Sequence, residues 1–339
     1  MVHLTCDKCG NVYPVREIDP RQTYRCLACS SSLLSTPTLT LPEVRPTVAL
    51  LQPGSTLGRY TIVRQCGRGG MGVVYEARET ESGRPVAVKT LLIHPGSNPD
   101  QASREEKRFF KEAKLCAAIE PHPGLVRIHE GGVVGGTYFL AMDFVDGRPL
   151  HQWRRDPAAT LRREIALLRD VALAVHHPHL HGIIHRDLKP ENVLVDAETR
   201  PHITDFGLAR IVGKGETASS TKSNEVVGTP PYVSPEQAIK PKSVDHRTDI
   251  YAMGVMLYEA LSGLVPFRGK SGFAMLMSIV HDPVTPPRQT PRGKGNPEVD
   301  AEIERVCLKA MAKKPEERHA TAKAFAEDLT RWLKQKLEA

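Results

Sequence analysis

The sequence predicts an α+β fold, and three observations predict it. Between Tyr60 and Lys89, apolar and polar residues alternate in short runs, the period of β-strands. From Arg104 to Ile119, and almost throughout beyond Arg154, apolar residues recur at helical spacing. Two Cys-x-x-Cys pairs precede both regions, separated from them by a proline-rich stretch. The 339 residues suffice for about two domains, and an apolar content of 40% allows a large core.

Residues 1–34 carry Cys6-x-x-Cys9, sixteen intervening residues, then Cys26-x-x-Cys29. Each pair can form a tight turn presenting two thiolates, and two such turns offer the four soft ligands of tetrahedral zinc. Short strands are expected at Tyr13 to Val15 and Thr23 to Arg25. The segment resembles a zinc ribbon. It is too short for a core of its own, so zinc would supply most of its folding energy. A redox pair or a disulfide clip competes for the same cysteines. Met1 to Cys6 lacks an apolar signal core, and seven cysteines in such a chain point to metal and to the cytoplasm. Residues 35–56, with Pro37, Pro42, Pro46 and Pro53, read as an extended linker.

The main domain is expected over 57–336. Tyr60 to Arg64 and Val73 to Ala77 form a hairpin, and Val86 to Lys89 a third strand. A helix follows from Arg104 to Ile119, with Phe109, Ala113, Cys116 and the Leu115/Ile119 pair on its apolar face. Gly67-Arg68-Gly69-Gly70-Met71-Gly72-Val73-Val74 lies between the first two strands. No helix opens after it, which argues against a dinucleotide fold. Bare backbone there lets amides approach phosphate oxygens. Ile250 to Phe267 is apolar but holds Glu259 and ends at Pro266, so it reads as a buried helix and not a membrane span. Phe325, Leu329, Leu333 and Leu337 recur four apart in an amphipathic closing helix over Thr321 to Ala339. The net charge is +7, but no Lys/Arg run is long enough for a basic arm, which disfavours a nucleic-acid partner.

The chemistry concentrates in one string. Residues 185–192 read His-Arg-Asp-Leu-Lys-Pro-Glu-Asn, and thirteen positions after Asn192 comes Asp205-Phe206-Gly207. A carboxylate, an ammonium, an amide and a second carboxylate within about twenty residues form the set that phosphoryl transfer from a magnesium nucleotide to an alcohol needs. With the glycine-rich string and Val86-Ala87-Val88-Lys89, this resembles the protein kinase superfamily from about Tyr60 to Leu333. The string Gly-Arg-Gly-Gly-Met-Gly most resembles bacterial eukaryotic-like serine/threonine kinases.

The resemblance implies a bilobal fold: a small β-rich N-lobe with one main helix over about 57–145, and a larger helical C-lobe over about 146–336. It implies ATP and Mg2+ as cofactors and Ser/Thr residues of proteins as acceptors. Asp187 would be the catalytic base, Lys189 a γ-phosphate contact, and Asn192 and Asp205 the magnesium ligands. Lys89 would hold the α- and β-phosphates and pair with a helix glutamate, Glu112 ahead of Glu105 and Glu106, which lie nearer the helix start where carboxylates are expected anyway. Cys66, Val74, Ala87, Leu194 and the hinge Met142-Asp143-Phe144-Val145 would enclose the adenine. Lys189 and Thr229, in Gly228-Thr229-Pro230-Pro231-Tyr232, match the Ser/Thr branch. Thr217, Ser219, Ser220 and Thr221 are candidate self-phosphorylation sites, whose phosphate could pair with Arg186. Glu236 should pair with Arg318, and Asp249 should cap the catalytic loop. Pro178 is expected to disturb its helix. In the His176 to His181 run, His179 reads as a packing residue and the others as solvent-facing, which disfavours a metal site there. A catalytically dead scaffold is disfavoured because Lys89, Asp187, Asn192 and Asp205 are all present; a nucleic-acid-binding regulator led by the ribbon is the other alternative.

Overall fold

The computed structural model describes residues 2–5, 12–15, 24–25, 28–29, 32–33, 50–69, 72–91, 110, 113–114, 117, 119–206, 231–240 and 244–338. The chain divides into two compact units, Met1–Thr47 and Val48–Ala339.

The first unit holds two small antiparallel pairs: β1 (Val2–Thr5) with β2 (Val12–Val15), and β3 (Tyr24–Arg25) with β4 (Ser32–Leu33). Each Cys-x-x-Cys falls, in sequence, between the strands of one pair. Cys6, Cys9 and Cys26 lie outside the described residues, and Cys29 sits in a turn.

In the second unit, β5 (Thr56–Leu57), β6 (Tyr60–Gly69), β7 (Gly72–Glu79), β8 (Pro85–Leu91), β9 (Ile128–Val134) and β10 (Thr137–Asp143) form one antiparallel sheet in the order β5-β6-β7-β8-β10-β9. Strand periodicity separates its two faces. Tyr60, Ile62, Val73, Tyr75, Val88 and Phe139 pack one core, and Ala87, Leu91, Leu140 and Met142 pack another with Ala113. Ala113 belongs to the expected helix, of which Phe110, Ala113, Lys114 and Ala117 are helical, whereas Ile119, expected to be its last residue, lies in a bend. Glu112 lies outside the described residues.

Beyond Asp143 the chain enters a helical lobe. A three-stranded sheet of β11 (Gly147–Pro149), β12 (Val193–Asp196) and β13 (Pro201–Ile203) brackets the catalytic string. The described helices are α1 (Leu150–Trp153), α2 (Leu161–His179), α3 (Pro235–Ile239), α4 (Arg247–Ser262), α5 (Gly272–His281), α6 (Ala301–Ala310) and α7 (Ala322–Glu338). Thr160 caps α2 by accepting from the Arg163 N–H. Helix α4 is buried almost all round and forms the centre of the lobe, with α2, α6 and α7 against it. The expected Ile250–Phe267 helix thus begins earlier, at Arg247, and ends at Ser262, where Gly263 takes a left-handed conformation (φ 71°). Phe325, Leu329 and Leu333 of α7 are buried as the four-residue spacing predicts. Pro178 does not break α2, which continues to His179; so close to the end, little helix remains for the missing N–H to disrupt. No described helix is long and apolar enough to cross a membrane.

Candidate functional site

The glycine-rich string forms the tip of the β6–β7 hairpin, where Gly69 pairs with Gly72. Gly72 has φ 150°, and a Cβ there would lie 1.7 Å from the carbonyl oxygen of Thr90 on β8. Only glycine lets the hairpin run this close to its neighbour. Below the hairpin a cleft of about 380 Å³ opens, within the size range of a small-molecule site. Cys66, Gly67, Val74, Ala87, Lys89, Met142, Asp143, Phe144, Val145, Asn192, Leu194 and Asp205 line it, so residues from both lobes meet on one cavity. Val126, Asp146, Gly147, Glu191 and Thr204 line it too and were not singled out from sequence. Most of them lie in irregular backbone, where no periodicity marks a face.

Val73 does not face this cleft. It is 3% exposed and packs into the opposite core beside Tyr75, because successive side chains of β7 alternate faces and Val74 takes the cleft side. Arg68 and Gly69 are exposed at the hairpin tip and do not line the cavity. Gly70 and Met71 lie outside the described residues.

Lys89 is buried in β8, and its Nζ donates to Asp205 Oδ2 at 2.5 Å. This contact joins the small lobe's sheet to the Asp-Phe-Gly segment directly. Asp205 itself has φ 63°. A left-handed residue other than glycine stores about 1–3 kcal/mol of strain and persists only where its surroundings impose it. The Thr204 N–H donates to the Asn192 carbonyl at 2.9 Å, which ties the strand before Asp205 to the catalytic string.

Within that string, Lys189 Nζ donates to Asp187 Oδ2 at 2.8 Å, and Asn192 Nδ2 donates to the Asp187 carbonyl at 2.7 Å. Asp187 and Lys189 stand outside the residues lining the cleft, one side chain beyond Asn192. Arg186, like Asp205, is left-handed (φ 67°). What imposes this is Asp249 at the start of α4, 1% exposed. Its carboxylate accepts from the backbone N–H groups of His185 (2.8 Å) and Arg186 (2.9 Å) and bonds His179 Nε2 (2.8 Å). Burial pushes the Asp249 carboxyl up, but the bond and charge of His179 and the His185 N–H outweigh it and hold it below the ordinary carboxylate value. The His185 ring bonds the Thr204 carbonyl at 2.8 Å and meets the Phe206 ring edge-on at 4.8 Å. One buried acid thus fixes the backbone from His185 to Arg186, and His185 carries the constraint to the residue beside Asp205.

The expected Glu236–Arg318 pair is present and bidentate, with both N···O distances 2.7 Å. A second buried cluster was not expected: Arg154 bridges Glu164 and Glu259, and the Tyr232 hydroxyl donates to Glu259 at 2.8 Å. Its members are up to 105 residues apart, so no local pattern announces it. Thr217, Ser219, Ser220, Thr221 and Thr229 lie outside the described residues.

Comparison with known proteins agrees with this geometry. The protein kinase domain family matches residues 60–330. The chain is 35% identical over 290 residues to the serine/threonine-protein kinase Pkn1 of Myxococcus xanthus, covering 84% of this chain and 40% of that protein. It is 37% identical over 280 residues to PknB of Mycolicibacterium smegmatis, covering 80% and 43%. It therefore spans less than half the length of these curated relatives. The kinase domain of Mycobacterium tuberculosis PknI superimposes with a TM-score of 0.62 at 26% identity, covering 83% of this chain and 98% of that one. A hairpin of glycines over a two-lobed cleft, with a buried lysine meeting the second carboxylate, belongs with these relatives: the chain is a member of the protein kinase family.

Proposed function

We propose that this protein is a serine/threonine protein kinase that transfers the γ-phosphoryl group of ATP to protein hydroxyls. The observation that carries the reading is the convergence of Lys89, Asp205 and Asn192 on one cleft, with Asp187 hydrogen-bonded to Asn192 at its edge. In this reading the acceptor hydroxyl binds at Asp187, which takes its proton as the oxygen bonds to the γ-phosphorus and the bond to the β-phosphate breaks. Lys189, already beside Asp187, offsets the charge that develops. Lys89 exchanges its contact with Asp205 for the α- and β-phosphates. The Asp205 carboxylate and the Asn192 amide oxygen form an oxygen donor set suited to magnesium, which when bound neutralises the phosphates. Cys66, Val74, Ala87 and Leu194 would hold the adenine, with the backbone of 142–145 beside it.

In the same reading, Arg186 at the head of the catalytic string would receive a phosphate placed on Thr217, Ser219, Ser220 or Thr221, and Thr229 would border the acceptor. Cys6, Cys9, Cys26 and Cys29 would hold a structural zinc; the strand pairs that flank each Cys-x-x-Cys support that arrangement.

Incubation with γ-labelled ATP and a generic protein substrate, followed by phosphoamino-acid analysis, tests this. Label should appear on serine and threonine and be lost in Lys89→Met. Label confined to tyrosine, or undiminished in Lys89→Met, would refute the proposal.

A further inference from the structure

We infer that Glu120, His177 and His181 form a binding site for a divalent transition-metal ion of borderline softness, zinc above all, at the junction where residues 119–125 pack on the end of α2. One ring nitrogen from each histidine and one carboxylate oxygen lie within 4.8 Å of one another. Ligand atoms that share a tetrahedral ion at about 2.0–2.1 Å stand roughly 3.4 Å apart, so closure needs shifts of only about 1 Å. Glu120 and His181 are exposed and can make them. Two imidazoles and one carboxylate are a donor set for zinc with a position left open to water.

The fold holds the third ligand ready. Contrary to the expectation that His177 faces solvent, which disfavoured a metal site in this run, it is half-buried near the end of α2, and its Nε2 is buried with no hydrogen-bond partner among the described residues. A buried polar atom left so costs about 1–3 kcal/mol, which coordination would offset. The neighbouring His122 ring stacks on His177 at 5.4 Å, and its Nδ1 accepts the Gly124 N–H at 3.0 Å. That bond fixes the His122 ring against His177, so His122 acts as a positioning residue. His181 follows four residues after His177; its N–H donates to the Pro178 carbonyl at 3.0 Å, which turns the chain back toward the cluster.

The junction being clamped matters to the rest of the domain. Gly124 approaches Ala174 of α2 so closely that a Cβ on it would lie 2.7 Å from the Ala174 side chain. Gly124 and Val126 also exchange backbone hydrogen bonds with Ile203 of β13, two residues before Asp205. An ion bound by Glu120 on one side and by His177 and His181 on the other would tie these packed segments together. The site uses none of the cleft residues and stands whether or not the protein phosphorylates substrates.

Zinc titration of the full chain, read as bound zinc per chain after gel filtration, tests the inference. Wild type should retain one ion more than the Glu120→Gln/His181→Gln double variant. Any ion held by the cysteines is common to both and cancels. Each single variant should bind the additional ion about 10–100-fold more weakly, a loss at least as large as that for an outer-shell partner. Zinc should also raise the Tm of wild type more than that of the double variant. Both substituted side chains are exposed, so the variants should fold. Equal zinc per chain in wild type and double variant would overturn the inference.

Discussion

The two walls of the cleft are built on different principles. On the small-lobe side the wall is strand backbone and apolar side chains, and Lys89 is the one buried charged residue there among those described. Its precision comes from close backbone approach, as at Gly72, and from strand alternation, which sends Val73 one way and Val74 the other. On the large-lobe side the wall hangs from buried polar groups: Asp249, His185, Asn192 and, deeper, Arg318 and His319. The contrast teaches that the small lobe sets its site by strand alternation and apolar packing, and the large lobe by hydrogen bonds to buried polar groups. Two of the large lobe's left-handed residues, Arg186 and Asp205, stand at the site and need fixed hydrogen bonds to stay in place.

Removing an anchor of the large lobe should therefore have the largest effect. Asp249→Ala leaves the His185 and Arg186 N–H groups without their acceptor and should cost about 3–5 kcal/mol, a loss read by denaturant unfolding. Phosphoryl transfer should fall further than stability explains. A cost below about 1 kcal/mol would break the contrast between the two walls.

Acid should distinguish the lobes next. Burial outweighs the Asp328 contact and pushes the His319 imidazole down to about 4 from its ordinary 6.5. The unfolded chain takes up this proton and the folded one does not, so the stability linked to His319 is full above about pH 6.5 and is lost as pH falls toward 4. Up to about 3 kcal/mol is at stake. His319→Gln should flatten the fall of Tm between pH 6.5 and 4 relative to wild type; parallel curves for the two proteins would remove His319 from the account.

The finest comparison lies within one strand. Val73→Ala should cost about 2 kcal/mol of stability and leave nucleotide affinity unchanged. Val74→Ala should weaken nucleotide binding with less effect on stability. Melting curves and ATP titrations of the pair give both numbers, and the reverse pattern would mean that the faces of β7 are exchanged.

These residues also show what the sequence can reveal. The catalytic string was legible because its chemistry is contiguous from His185 to Asn192. Asp249 and the Glu236–Arg318 pair were legible because they keep their order relative to that string. Val73 sits inside the glycine-rich string, which draws it toward the nucleotide site; a count of strand alternation from Tyr75 puts it in the core. Strands β9 and β10 went unread, since Ile128–Val134 contains two adjacent glycines and its partner's apolar run, Tyr138 to Met142, does not alternate. The Arg154–Glu164–Glu259–Tyr232 cluster and the meeting of Glu120 with His177 depend on packing between distant segments. The left-handed backbone of Arg186 and Asp205 has no glycine to mark it.

The central claim is a division of labour at one triphosphate: Asp205 helps hold the nucleotide and Asp187 acts on the acceptor. Single-turnover transfer from magnesium-ATP by Asp187→Asn, with nucleotide affinity measured on the same protein, tests it most directly. The account predicts affinity close to wild type and a rate about 10²–10⁴-fold lower. Transfer by Asp187→Asn at the wild-type rate would contradict it.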